Sequence, residues 1–192
     1  MSTAEDVLAF WLDELKPSDW YTGGSGLDAK IRERFEPLWE RAMGGGLSMW
    51  MTYPSGALAY IILTDQFPRN MFRDTGKAFA SDKLALAVAK TAISKDWDLK
   101  IDEPARQFFY LPLMHSESVS DQERCVRLFL TRMEKTGANN LLHAKAHRQV
   151  IRQFGRFPYR NEALNRRTTQ PESTYMEQGG YGTTVQALKA AG

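Results

Sequence analysis

The chain has 192 residues, of which 43% are apolar and 25% charged, values ordinary for one globular domain. Its 25 basic and 23 acidic residues nearly balance, so a nucleic-acid partner is not favoured. The longest apolar stretch, residues 57–63, is too short to cross a bilayer, and no signal peptide is visible. A single cysteine, Cys125, fits a reducing compartment. We therefore expect a cytoplasmic protein with no membrane partner.

Two amphipathic helices are predicted in the first quarter of the chain. The apolar stripe of the first is formed by Val7, Leu8, Trp11 and Leu15. Ser2 and Glu5 have the spacing of a capping box ahead of this stripe, and Pro17 ends the helix. A second stripe covers residues 31–42, and Pro37 inside it predicts a kink or a split.

Three further helices are predicted in the middle of the chain. One covers about residues 55–66 and is apolar almost all round, so we expect it to be central. A buried strand is the alternative, but no second such run exists for it to pair with. Another helix follows Ser81 and is rich in alanine, which favours helix. The third opens at Pro104 and closes at Pro112.

Helical spacing continues in the last third of the chain. Ser120 and Glu123 predict a second capping box at the start of a helix, and a longer helix covers residues 140–154. A short helix is expected at 161–166, and the tail from about residue 168 is predicted to be irregular. Strand alternation is not evident, so the sequence predicts one all-α domain, residues 1–192, built of antiparallel helix pairs.

Two segments of the chain echo each other. Residues 67–70 (FPRN) and 157–161 (FPYRN) each place a ring, a proline, an arginine and an asparagine at a helix end. Arginine at such a corner braces carbonyl and carboxylate groups or binds an anion. For Arg69, Arg156 and Arg160 both alternatives stay open: internal ion pairs, or contacts with a ligand.

Four motifs resemble the signature of a bacterial family of unknown function, the domain-of-unknown-function family 924. They are residues 61–70 (IILTDQFPRN), 78–82 (AFASD), 111–117 (LPLMHSE) and 154–161 (FGRFPYRN). The resemblance covers nearly the whole chain. It implies about seven to nine helices, with antiparallel pairs stacked in a tetratricopeptide-like, right-handed arrangement. The family pattern has leucine in place of Thr64 and histidine in place of Tyr159, and it implies no activity.

The polar residues of these motifs define a candidate site. Because the resemblance treats the motifs as a set, we hypothesise a cleft that holds Asp65, Arg69, His115, Glu117, His147 and Arg156. The other ligand-binding candidates are Asn70, Asp82, Arg160 and Asn161. The alternative is a buried polar network that pins loops to helix ends with every hydrogen bond satisfied.

Other chemistry-bearing patterns are incomplete. His143 and His147 are four residues apart on one predicted helix, but no third metal ligand is evident near them. The glycines of residues 179–182 follow no strand and lack the lysine of a phosphate-binding loop. We predict neither a metal nor a cofactor.

Two classes of function stay open. The first is a helical-repeat-like binding module for a small anionic ligand or peptide. The alternative is an enzyme of the hydrolase type that uses His115 with Glu117 or Asp65 as acid and base. A self-association surface is a third hypothesis and requires an exposed apolar patch. Ligand identity and oligomeric state are left open.

Overall fold

Helices make up all of the regular structure in the computed structural model, which describes residues 2–191; no strand occurs within that range. The all-α prediction is therefore confirmed. The chain forms two compact units, one ending at Pro112 and one beginning at Leu113. The expectation of a single domain over residues 1–192 stays a prediction, as does the tetratricopeptide-like arrangement. Within residues 2–191, no helix combines the length and apolarity that a bilayer crossing requires.

Six α-helices belong to the first unit. They are α1 (Ala4–Leu8), α2 (Asp19–Thr22), α3 (Ser25–Met43), α4 (Pro54–Ile61), α5 (Phe67–Met71) and α6 (Asp82–Ser94). Wider π-helical turns continue α1 over Ala9–Glu14 and α4 over Ile62–Gln66. Short 3-10 helices occupy Ser48–Thr52, Gly76–Phe79, Asp98–Lys100 and Ala105–Phe109. Helix α4 contacts α1 and α6, and α3 contacts α5.

Helix α4 and the ring of Phe67 form the centre of this unit. Every α4 residue from Gly56 to Ile61 is buried, which confirms the predicted central helix. The Phe67 ring centroid lies 4.8 Å from that of Phe35, 5.4 Å from Trp11 and 6.0 Å from Phe10. Edge and tilted ring contacts of this kind hold α1, α3 and α5 together.

Four α-helices follow in the second unit, after the short helix α7 (Leu111–Met114) in which the first unit ends. They are α8 (Val119–Arg132), α9 (Ala138–Phe154), α10 (Gln170–Glu177) and α11 (Gly180–Ala191). A 3-10 helix, Pro158–Arg160, precedes α10 and contacts it, and α9 packs against both α8 and α11. Val150, Ile151 and Phe157 form one buried apolar cluster of the unit.

The prediction of an irregular tail is wrong, because the tail folds into α10 and α11. The Glu172 carboxylate accepts a hydrogen bond of 2.7 Å from the Thr169 backbone N–H, the return half of a capping box that starts α10. Gly179 and Gly180 both have positive φ angles, which glycine adopts without strain, and they separate the two helices. The glycine-rich composition therefore marks one break between helices.

Both predicted capping boxes are also wrong. Thr3, rather than Ser2, caps α1, and Asp6 rather than Glu5 closes the box by accepting from the Thr3 N–H at 2.7 Å. Helix α8 begins one residue before Ser120, which therefore lies inside it. Glu123 accepts instead from two arginines of α9. Charge pairing across helices takes precedence over local capping here.

Two prolines and one short segment depart from prediction. Helix α3 is continuous through Pro37, so it is not split. Pro112 does not close a helix; it occupies the first turn of α7, where its missing N–H costs nothing. The predicted helix at 161–166 is wrong, since these residues form turns closed by the Arg166 N–H to the Asn161 carbonyl at 2.8 Å. Asn165 has a positive φ of 51° there, which ends helical propagation.

Candidate functional site

Arg69, the arginine of the first Phe-Pro motif, lies on α5 between two aspartates. Its Nη1 and Nη2 atoms donate to the Asp82 carboxylate at 3.0 and 3.1 Å. Nη1 also lies 3.3 Å from Asp65 Oδ1 and donates to the Asp65 carbonyl. Asp65 is fully buried and accepts a further hydrogen bond from Gln66. Arg69 thus ties the π-helical turn to the start of α6 by charge-assisted hydrogen bonds.

Asn70, the asparagine of the same motif, faces a carboxylate of α3. Its Nδ2 donates to Asp28 Oδ1 at 2.8 Å, and Arg73 donates to both Asp28 oxygens at 2.9 and 3.0 Å. Partial burial raises the pKa of Asp28, but the hydrogen bonds from Arg73 and Asn70 outweigh it and the pKa is lowered. This asparagine therefore holds α5 against α3.

Arg156 and Asn161 meet a carboxylate in the same manner in the second unit. Arg156 donates to the two Glu172 oxygens at 2.6 and 2.8 Å, and Asn161 Nδ2 lies 3.3 Å from Glu172 Oε2. Glu172 is only 3% exposed. Its hydrogen bond with Arg156 is the main cause that lowers the pKa of Glu172 to about 2. The group fixes the start of α10 to the preceding turns.

Glu117, the proposed partner of His115, is engaged by other residues. Arg166 donates to both of its oxygens, the shortest contact being 2.8 Å, and the Phe157 backbone N–H donates to Oε1 at 2.8 Å. Burial raises the pKa of Glu117, but these hydrogen bonds outweigh it and the net pKa is lowered. An ionised acceptor held in this way is poorly suited to exchange protons with His115 near neutral pH.

All three histidines of the chain lie in the second unit, and two of them contact Tyr181 of α11. The His147 ring centroid lies 6.4 Å from that of His115 and 4.8 Å from that of Tyr181. The His143 ring stacks on Tyr181 at 5.9 Å. Tyr181 is therefore the side chain around which two of the imidazoles gather.

A hydrogen bond to a backbone carbonyl fixes the tautomer of His147. His147 Nδ1 lies 2.8 Å from the His143 carbonyl oxygen and 3.0 Å from Tyr181 Oη. Because a carbonyl only accepts, the Nδ1 atom of His147 carries the proton and Nε2 is the acceptor. The Tyr181 hydroxyl also lies 2.7 Å from His143 Nδ1. Hydrogen bonds therefore link His147, Tyr181 and His143 in one chain.

Both of these histidines are neutral near pH 7. Burial lowers the pKa of His147 to about 3; the bond to the His143 carbonyl opposes this shift, and the Arg160 charge adds to it. Burial, with a smaller effect of the Lys189 charge, also lowers the pKa of His143. A base with a pKa of about 3 is too weak for general-base catalysis at neutral pH, so His147 is better suited to hydrogen bonding.

The second Phe-Pro motif provides one wall of the same group. The Arg160 guanidinium lies over the Phe157 ring at 4.6 Å and donates to the His115 carbonyl at 3.1 Å. The Tyr159 ring stacks on Phe157 at 5.4 Å, lies 6.1 Å from the Tyr181 ring and is 37% exposed. The group is thus reached from the surface.

Sequence reasoning found part of this arrangement and missed part. Among the predicted residues, His115, His147 and Arg160 are brought together in the second unit. Arg69, Asn70, Asp65 and Asp82 lie in the first unit and are engaged there, so their convergence with the others stays a prediction. Tyr181 was missed because it lies in the tail that was expected to be irregular. The carboxylate of Glu172, three residues after Thr169, was the available signal for helix there.

The structure also bears on two other chemical candidates, the Cys125 thiol and a metal site. Cys125 is fully buried on α8, and burial, with the Asp121 charge, raises the pKa of its thiol. The thiolate is therefore disfavoured, as expected for a structural cysteine. Within residues 2–191, no three His, Cys, Asp or Glu side chains are grouped so as to hold a metal ion.

Comparison with known proteins finds one matching family model and a similar solved structure. A family model described as bacterial protein of unknown function (DUF924) matches residues 7–180. The solved structure of a protein of unknown function from Agrobacterium tumefaciens is 36% identical in sequence, with a TM-score of 0.85. The match covers 91% of the present chain and 97% of the other. No curated protein matches.

Proposed function

This chain belongs to the bacterial family of unknown function DUF924, and from its own geometry we propose that it is a binding module for a small anionic ligand. The proposed ligand site is the histidine cluster, defined as His115, His143, His147, Tyr159, Arg160 and Tyr181. All six residues belong to the second unit.

One observation supports the proposal: His147 lies beside His115 and Tyr181, and the His143 ring stacks on Tyr181. The buried Arg160 guanidinium donates to the His115 carbonyl, and the neighbouring Tyr159 is 37% exposed. Imidazole N–H and tyrosine O–H groups are hydrogen-bond donors, and guanidinium is a permanent cation. Carboxylate and phosphate oxygens accept from such donors. The charges of Arg160 and Lys189 already lower the pKa values of the histidines, so an anion would relieve an unfavourable positive field.

The enzyme alternative has less support. Glu117 is held by Arg166 and by the Phe157 N–H, and His147 is a weak base. Acid–base catalysis by His115 would then depend on Asp65, which is buried in the first unit and bonded to Gln66 and Arg69. A hydrogen-bonding role in ligand capture needs none of these groups to change protonation at neutral pH.

The number of histidines makes the proposal directly testable. Since the chain has only three, their ring signals in proton–carbon NMR spectra can be assigned by single substitutions. We expect inorganic phosphate or acetate to shift all three signals and to raise the pKa of His143. Sodium chloride at matched ionic strength is the control for general screening.

Two variants complete the test. Tyr181→Phe removes the hydroxyl between the two imidazoles and should weaken the response to phosphate. Arg69→Lys, in the first unit, should leave the response unchanged. Histidine signals that respond to phosphate no more than to chloride would refute an anion site at this cluster.

The cellular setting is a further part of the proposal. A bacterial cytoplasm is supported by the single cysteine, which is buried. Fractionation of cells that produce the native chain, followed by immunodetection, would test this location.

A further inference from the structure

Helix α11 is attached to the second unit by shallow packing. It contacts α9 and α10, and among its described residues Gly180 alone is buried. The side chains on its inner face are only partly buried; they are Tyr181, Thr184, Val185 and Leu188. Helix α9 beneath it buries four residues. A helix with so few buried contacts opens at a lower free-energy cost than the core on which it lies.

Two consecutive glycines join α10 to α11. The φ angles of Gly179 and Gly180 are +100° and +54°, a region that glycine adopts without strain. The start of α10 is fixed by the hydrogen bonds that Glu172 makes with Arg156 and with the Thr169 N–H. The match to the family model ends at residue 180, so α11 extends beyond it. The glycine pair therefore separates a firmly held helix from a shallowly packed one.

Helix α11 places the Tyr181 hydroxyl between two imidazole rings. The Oη atom lies 2.7 Å from His143 Nδ1 and 3.0 Å from His147 Nδ1. These are direct hydrogen-bond distances, which leave no room for a ligand oxygen between the hydroxyl and either nitrogen. An anion reaches these nitrogens only after α11 moves.

Helix α11 also carries a cation close to the histidine cluster. Burial and, to a smaller extent, the Lys189 charge lower the pKa of His143. Lys189 is thus near enough for its field to act on the ring. A bound anion between the two groups would attract Lys189 and draw α11 toward α9.

We propose that α11 is a hinged lid of the histidine cluster. It opens about Gly179 and Gly180 to admit an anion and closes on the bound ligand, with Tyr181 and Lys189 completing the site. Helices α9 and α10 stay folded while it opens. This inference rests on the proposed function, because the ligand is the small anion assigned to the cluster.

Hydrogen–deuterium exchange of the full chain, read by mass spectrometry of peptic fragments, measures the opening of each helix. Amides of α11 should exchange at least about tenfold faster than those of α9. Val185→Ala/Leu188→Ala reduces the inner face away from the cluster and should speed α11 exchange at least about threefold, with α9 unchanged. Gln186→Ala, on the exposed face of α11, is the control and should leave both rates as they are.

Inorganic phosphate tests closure on the ligand. Because phosphate binds the closed form, α11 exchange should slow by the factor 1 + [phosphate]/Kd, about tenfold at roughly nine times the Kd given by the histidine signals. Sodium chloride at matched ionic strength is the control. Lys189→Gln should reduce the slowing, whereas Lys145→Gln, at an exposed position on α9, should not.

Two outcomes would overturn the lid. One is equal exchange rates in α11 and α9, since α11 would then open only together with the core. The other is a set of histidine signals that respond to phosphate while α11 exchange stays unchanged. Fast α11 exchange with no phosphate response in any histidine signal would support the hinge and exclude the anion site, so failure of the lid and failure of the proposed function are distinguishable.

Discussion

The two Phe-Pro motifs, residues 67–70 and 157–161, use their asparagines alike and their arginines differently. Asn70 shares the Asp28 carboxylate with Arg73, and Asn161 shares that of Glu172 with an arginine. Arg69, however, is turned onto two aspartates, whereas Arg160 lies on an aromatic ring and donates to the His115 carbonyl. The motif thus fixes the corner, while residues distant in sequence decide what its arginine does.

Substitution of the two motif arginines should give the largest contrast. Arg69→Ala leaves the buried Asp65 without its cation, and we expect a loss of about 3 kcal/mol in the free energy of unfolding. Arg160→Ala removes a ring contact and one carbonyl bond, and about 1 kcal/mol is expected. Urea denaturation followed by circular dichroism measures both.

A second substitution isolates the cause of the Arg69 effect. Asp65→Asn in the Arg69→Ala background removes the stranded charge and should recover part of the lost stability. Equal losses for the two arginines, or no recovery in the double variant, would contradict the difference between the corners.

Substitution of the two carboxylates that the motif asparagines contact, Glu172 and Asp28, should give stability losses that differ by a smaller amount. Glu172→Ala is expected to cost about 2 kcal/mol, because a nearly inaccessible carboxylate loses charged and backbone donors together. Asp28→Ala, at a more accessible site, should cost about 1 kcal/mol. Glu134→Ala on the exposed surface is the control and should stay within about 0.5 kcal/mol of the native chain. A larger loss for Asp28 than for Glu172 would reverse the ranking.

Acid should destabilise the folded chain through His147 of the second unit. The pKa of His147 is lowered from 6.5 to about 3 in the folded chain, so the unfolded chain binds protons first as pH falls. Stability is therefore full above pH 6.5 and declines toward pH 3, by at most about 1.4 kcal/mol per pH unit from this group.

The upper part of that window is the informative one, because glutamates with the ordinary pKa of 4.5 stay mostly ionised down to pH 5. Urea midpoints at pH 6.5 and 5 should fall less in His147→Gln than in the native chain. Identical pH dependence in the two chains would mean that His147 titrates normally.

The smallest effect is expected from Tyr159→His, which restores the residue of the family pattern. The side chain is partly exposed and stacks on Phe157, so stability should change by no more than about 0.5 kcal/mol. The added imidazole N–H should strengthen the NMR response to phosphate. A weakened response would place the anion away from this wall of the cluster.

Local patterns in the sequence were enough to predict much of the fold but less of the site. The apolar run of α4 and the stripe of α9, ended by Gly155 with a positive φ, predict these helices because their signals are contained within each segment. The contact partners of the motif residues could not be predicted from local patterns. Asp28 lies 42 residues from Asn70, and Tyr181 lies 34 residues from His147, and no periodicity encodes such pairs. Only tertiary packing brings them together.

The burial of Cys125 has a practical consequence for labelling chemistry. Maleimides and related reagents attack the thiolate, and this thiol is both enclosed and held in its protonated form. Cys125 therefore need not be replaced before other cysteines are introduced for labelling. Cysteines placed at exposed positions such as Met49 and Leu130 would carry dyes or spin labels selectively in the otherwise native sequence.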